Sequence, residues 1–166
     1  MKFEDAVEII LDLEGGSKVT DDPDDPGGLT KWGISLSAHP ELGATGIRRL
    51  TKVKAIEIYR ADYWVPSRAG EVPEILRLPL FDSAVNQGVS GAGKILQRAL
   101  NELGYRLVVD GVIGPKTIAA SKKADALEFA AVFLQQRLIT YRSLPGAPKY
   151  GEGWERRVLK VALSVA

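Results

Sequence analysis

The sequence predicts a mainly α fold, interrupted after its first helix by an irregular, acid-rich segment with short β pieces. Three observations carry this prediction. Apolar residues recur at helical spacing in successive stretches, and glycine or proline separates those stretches. Residues 15–46 alone combine Gly, Pro, Asp, Ser and Thr densely enough to exclude long regular elements.

Phe3, Ala6, Val7, Ile10 and Leu13 form the first stripe, opposite Glu4, Asp5, Glu8 and Asp12, and Gly15-Gly16 stops it. Val53, Ile56, Tyr59 and Tyr63 mark a second helix over residues 51–64, ended by Pro66. Residues 78–88 are mostly apolar, with Asp82, Asn86 and Gln87 inserted, and read as a helix buried on most faces. Another helix follows over 91–104 after a tight glycine turn. Asp110-Gly111, between short β-branched runs, signals a hairpin or tight turn, and Pro115 suits the first turn of a short helix. Leu127, Ala130, Leu134, Leu138 and Tyr141, with Phe129, Val132, Phe133 and Ile139, make a long helix apolar almost all round, which belongs at the centre of a fold. A last helix spans 154–163, with Trp154 in the core.

Composition narrows the chemistry. At 166 residues the chain can bury a real core. It has no cysteine, so disulfides, thiol catalysis and Cys-zinc sites are excluded. His39 is the only histidine, too few for a catalytic zinc site, and a triad using it is a poor expectation. The stretch 88–93, GVSGAG, lacks the last glycine of a nucleophile elbow, so Ser90 reads as a turn or capping residue. No apolar run approaches the roughly 20 residues that span a bilayer, and the N-terminal stretch is a poor signal peptide. The expectation is a protein made in the cytoplasm without a membrane anchor. Charge is uneven: residues 1–45 carry three lysines against ten acids, net −7, and the remainder is +8. A basic body of this kind suits an anionic polymer, while no nucleic-acid motif appears.

The acidic segment invites three readings: a calcium loop, a solvated turn, or an acid/base site. Adjacent Asp21-Asp22 and Asp24-Asp25 pairs interrupted by prolines do not fit a calcium loop, which needs alternating ligands and a terminal glutamate. No metal or other cofactor is expected. Glu14 differs from the aspartates. It falls where the first helix ends, beside an apolar face and two glycines; the helix C-terminus and burial both favour a neutral carboxylic acid there. Such an acid can protonate a glycosidic oxygen. The competing reading is an ordinary glutamate in water.

The pattern E-G-G (Glu14-Gly15-Gly16) followed by D-P-x-D-P-G-G-x-T-x-x-G-I (Asp22 to Ile34) resembles glycoside hydrolase family 108, muramidases widespread as phage and prophage endolysins. Residues 80–117, from LFDSAVNQG to VDGVIGPKT, resemble the predicted peptidoglycan-binding region that accompanies that family, and YGEGWERRV resembles its terminal G-W-x-x-R helix. The resemblance covers nearly the whole chain. It implies a lysozyme-like fold, with residues 1–75 as the catalytic E-G-G segment and 76–166 as a helical peptidoglycan-binding region packed into one unit with it.

The resemblance further implies hydrolysis of the β-1,4 bond between N-acetylmuramic acid and N-acetylglucosamine, with Glu14 as general acid. The second carboxylate is open. Measured from Glu14 against phage T4-type lysozymes, Asp22 falls one residue short and Asp24 one long; Asp24 keeps the spacing to Thr30, and Asp25 sits in the D-P-G-G element. Asp25 and Asp22 are the candidates, Thr30 is a partner that positions water, and Asp21 and Asp24 read as turn formers. Ser17 stands where many relatives carry an aromatic. Asp82 and Asn86, at i and i+4, point together toward acetamido groups or into an internal hydrogen-bond network. Trp32 and Tyr63 are candidates for stacking on sugars, against the commoner role of core aromatics. Arg156 and Arg157 read as surface charges near anionic wall polymer. Peptidoglycan is the expected partner of a monomer released through a holin. The rival readings are a lytic transglycosylase, a chitinase-like activity, and a non-catalytic wall-binding protein.

Overall fold

The computed structural model describes residues 1–21 and 28–165. Helix α1 (Phe3–Leu13) buries Phe3, Ala6, Val7, Ile10 and Leu11 and ends at Glu14, which sits at its C-cap. Gly15 and Gly16 follow with φ of 84° and 64°, a left-handed exit that side-chain-bearing residues resist. Three two-residue strands come next: β1 (Val19–Thr20), β2 (Thr30–Lys31) and β3 (Ile34–Ser35). They pair antiparallel in the order β1-β2-β3, with Val19 opposite Lys31 and Lys31 opposite Ile34.

Helix α2 (Gly43–Arg49) lies where sequence reading placed only irregular chain. Its Gly-Ala-Thr-Gly opening carries little helical propensity, and its one buried residue, Ile47, secures it to the core. Helix α3 (Lys52–Tyr59) is capped by the Thr51 hydroxyl, which accepts from the Lys54 amide, and continues into a π turn over Arg60–Trp64. Helix α4 (Glu74–Glu102) begins ahead of the expected residue 78 and carries Pro79 in its second turn. Gly88 (φ 73°, ψ 157°) breaks it into the two helical segments that the glycines foretold.

Residues 105–114 form no hairpin. Side chains of α4 hold this segment instead: the Asn101 amide exchanges hydrogen bonds with Leu107, and Gln97 bonds Asp110, Gly111 and Val112. The tight turn at Asp110-Gly111 is present, with Gly111 at φ 83°. Pro115 opens α5 (Pro115–Lys123). Helix α6 (Ala126–Arg142) packs along α4 and α7 as a flanking helix, since Leu127 and Ile139 face solvent while Phe129, Phe133, Arg137 and Tyr141 are buried. Helix α7 (Ala147–Leu163) starts a full turn and more before Trp154. One hydrophobic core runs from Phe3 to Val161, and Phe3, Trp64 and Phe81 meet inside it with ring centroids 5.2–5.9 Å apart. Helix α4 contacts α1, α6 and α7, so the halves suggested by the sequence share this core. Among the described residues, no helix is long and apolar enough to cross a membrane.

Candidate active site

The site is built around Glu14. Its Oε1 accepts a hydrogen bond from Arg157 Nη2 at 2.7 Å, across 143 residues of sequence. The Glu14 side chain is about one-fifth exposed and that of Arg157 about one-seventh. Among the described residues, none donates to Glu14 Oε2. The Arg157 Nε and Nη2 both lie 2.8 Å from Asp82 Oδ1. The other oxygen of Asp82 accepts from Arg137 Nη2 at 2.7 Å, and both of those side chains are fully buried. A chain of alternating charge, Glu14–Arg157–Asp82–Arg137, thus runs from the half-open surface into the core. Burial lowers the Arg157 pKa, but the Asp82 and Glu14 carboxylates more than offset it and hold the guanidinium charged, above its ordinary value.

The sequence places Glu14 beside an apolar face and two glycines; the structure adds Arg157 to those surroundings. The expectation that Arg157 is a surface charge is corrected; only Arg156 is exposed. A signal for Arg157 was present, because the arginine of the G-W-x-x-R pattern is Arg157 itself. Arg137 also had one, as a lone cation on the buried i, i+4 row Phe129, Phe133, Tyr141.

The β2–β3 turn closes over the other side of Glu14. Trp32 and Gly33 both have positive φ, 55° and 72°, as a two-residue type I′ hairpin requires. A bulky residue rarely accepts this conformation. Here the Trp32 carbonyl accepts from the Tyr59 hydroxyl at 3.0 Å, fixing the turn to α3. Gly33 permits the approach: a Cβ there would stand 2.2 Å from the Tyr59 hydroxyl and 2.7 Å from Glu14 Cγ. Tyr63 packs against Tyr59 with centroids 5.8 Å apart. Burial, then the charge of Glu14, raises the Tyr59 pKa above the ordinary phenol value; burial and the charge of Asp62 raise that of Tyr63.

The structure brings Glu14, Tyr59, Asp82, Arg137 and Arg157 together, with the Trp32 turn beside them. Trp32 and Tyr63 are both partly exposed. Asp82 has no exposed surface for a sugar, and it belongs to the internal network instead. Asn86 is exposed and donates to the Asp82 carbonyl at 2.9 Å. The Thr30 hydroxyl is engaged within its own turn, on the Gly28 carbonyl at 3.0 Å. Asp22 and Asp25, the candidates for second carboxylate, lie outside the described residues. The His39 ring faces Glu41 and Asp62 at 3.1 and 3.8 Å.

Comparison with known proteins bears on the family and the fold. The family model described as Glycosyl hydrolase 108 matches residues 7–88, and that described as Predicted Peptidoglycan domain matches residues 91–158. A search of curated protein sequences finds no match. Among solved structures, SagA of Brucella abortus is similar at 32% identity and a TM-score of 0.87, over 98% of this chain and 92% of that one.

Proposed function

The chain belongs to the glycosyl hydrolase 108 family and is a glycoside hydrolase that acts on peptidoglycan; from that premise we propose that it is a muramidase whose general acid is Glu14. The observation that carries this reading is the placement of Glu14: at a helix end, partly exposed, with one oxygen fixed by Arg157 and the other free of described partners.

In this reading Glu14 donates its proton to the oxygen that leaves as the C1–O bond of the muramic sugar breaks. Positive charge spreads over C1 and the ring oxygen, and an aspartate of the acidic segment, Asp25 or Asp22, stabilises that charge or activates water. Water supplies the hydroxyl that completes C1, and its remaining proton restores the acid. Thr30 helps to position that water, and Trp32, Tyr63 and Asn86 line the sugar path. Arg157 holds the acid in place, and Asp82 and Arg137 hold Arg157. The buried end of this chain shields the mount from solvent, since neither Asp82 nor Arg137 has exposed surface.

The biological setting that goes with this reading is an endolysin. It accumulates in the cytoplasm, passes the inner membrane through a holin and lyses the host from the wall. Turbidity of purified peptidoglycan tests the role of Glu14. Wild type clears the suspension, and Glu14→Gln, which keeps size and polarity, clears it about 10²–10⁴-fold more slowly. Equal clearing by both proteins would remove Glu14 from the chemistry.

A further inference from the structure

A cleft opens beside the acid, on the face of α7. It encloses about 340 Å³ and is lined by Leu13, Asn86, Trp154, Arg156, Arg157 and Lys160. Leu13 precedes Glu14 and Arg157 bonds it, so the cleft adjoins the catalytic carboxylate. Its apolar walls are Leu13 and Trp154, and the Trp154 ring is fixed by stacking on Tyr141 with centroids 5.0 Å apart. Its cations differ in state. Arg157 is committed to Glu14 and Asp82, whereas Arg156 and Lys160 are exposed and pair with no acid among the described residues.

Gly153 lines the same cleft from inside α7. A glycine within a helix costs about 1 kcal/mol relative to alanine. Packing does not account for it, because a Cβ at Gly153 would meet nothing within 4 Å. A smooth floor, an aromatic wall and two uncommitted cations describe a site for an anionic group on a chain with small apolar side chains. Neutral N-acetylglucosamine has no use for those charges. The muramic sugar carries a short peptide, rich in alanine and ending in free carboxylates, attached close to the bond that Glu14 would address.

We propose that this cleft binds the acidic peptide substituent of the muramic sugar, with Arg156 and Lys160 on its carboxylates and Trp154 against its side chains. The proposal rests on the muramidase reading of Glu14 for the position of the sugar. The enzyme then prefers peptide-substituted glycan over neutral glycan of the same backbone.

The test uses the disaccharide N-acetylglucosaminyl-N-acetylmuramyl tetrapeptide, which lacks the muramic-to-glucosamine bond that would be cut, and the same molecule with its carboxyl groups amidated. Calorimetry on wild type is expected to give about tenfold tighter binding of the acidic form. Arg156→Gln/Lys160→Gln binds both forms alike, at the affinity wild type shows for the amidated one. Lys122→Gln/Lys123→Gln on α5, with the same charge change, behaves as wild type. Equal binding of both forms by wild type would overturn the proposal, and so would a preference that survives in Arg156→Gln/Lys160→Gln. Loss of preference in the α5 variant would also overturn it, because net charge would then suffice. Wall turnover measured in parallel reports separately on Glu14: a wild type that binds the acidic peptide selectively but cleaves nothing keeps the cleft and loses the muramidase reading.

Discussion

Arg157 is the residue on which the site turns, and it shows what one side chain can connect. It joins the first helix to the last and spans two carboxylates, so its removal would strand Asp82 beside Arg137 and leave Glu14 unanchored. Breaking a buried ion pair from one side costs about 3–5 kcal/mol, because the remaining charge loses its compensation. Asp82→Asn is therefore expected to lower the urea unfolding free energy by about that amount and to reduce turnover, since Arg157 loses its mount. An unchanged unfolding curve would mean that the network contributes nothing to the fold. The tyrosines give a pH signature. Burial raises the folded-state pKa of Tyr59 and Tyr63, so the fold binds their protons more tightly than the unfolded chain does. Their contribution is fully present below the unfolded value of about 10 and is lost as pH rises beyond it. The urea midpoint should fall between pH 9 and pH 11, and fall less steeply in Tyr59→Phe. Glu14 was legible in the sequence as a carboxylate at a helix end. The G-W-x-x-R pattern marked Arg157 as a residue of interest, but its pairing with Glu14 was hidden, because a partner 143 positions away leaves no local trace.

At the scale of elements, the β2–β3 hairpin carries the other half of the site. Its turn needs two positive φ values, and Gly33 additionally needs the absence of a side chain. Gly33→Ala would drive a methyl into the Tyr59 hydroxyl and the Glu14 side chain. It is expected to abolish wall clearing and lower stability by more than about 1 kcal/mol, whereas alanine at Gly114, with open space around it and an extended backbone, should leave both unchanged. Comparable thermal midpoints for the two variants would contradict the close packing described. Helices with long apolar stripes, α1, α3 and α6, were readable because burial dictates their period. Helix α2 was not, since one buried isoleucine gives no period. The 105–114 segment misled because Asp-Gly marks a turn without saying whether strands flank it; side chains from α4 take up its backbone groups instead.

The whole molecule is one core rather than a catalytic unit with a detachable binding module. Helix α4 bends at Gly88, at the boundary between the two matched family regions, but its residues on both sides belong to the same core, and α7 supplies Arg157. Residues 1–90 produced alone are expected to yield no clearing activity and no cooperative thermal transition; an active, folded fragment would restore the modular picture. The most direct measurement is mass analysis of the sugars that wild type releases from purified peptidoglycan. The account predicts fragments with reducing N-acetylmuramic acid ends, absent with Glu14→Gln. Anhydromuramic ends, or fragments that still form with Glu14→Gln, would contradict it.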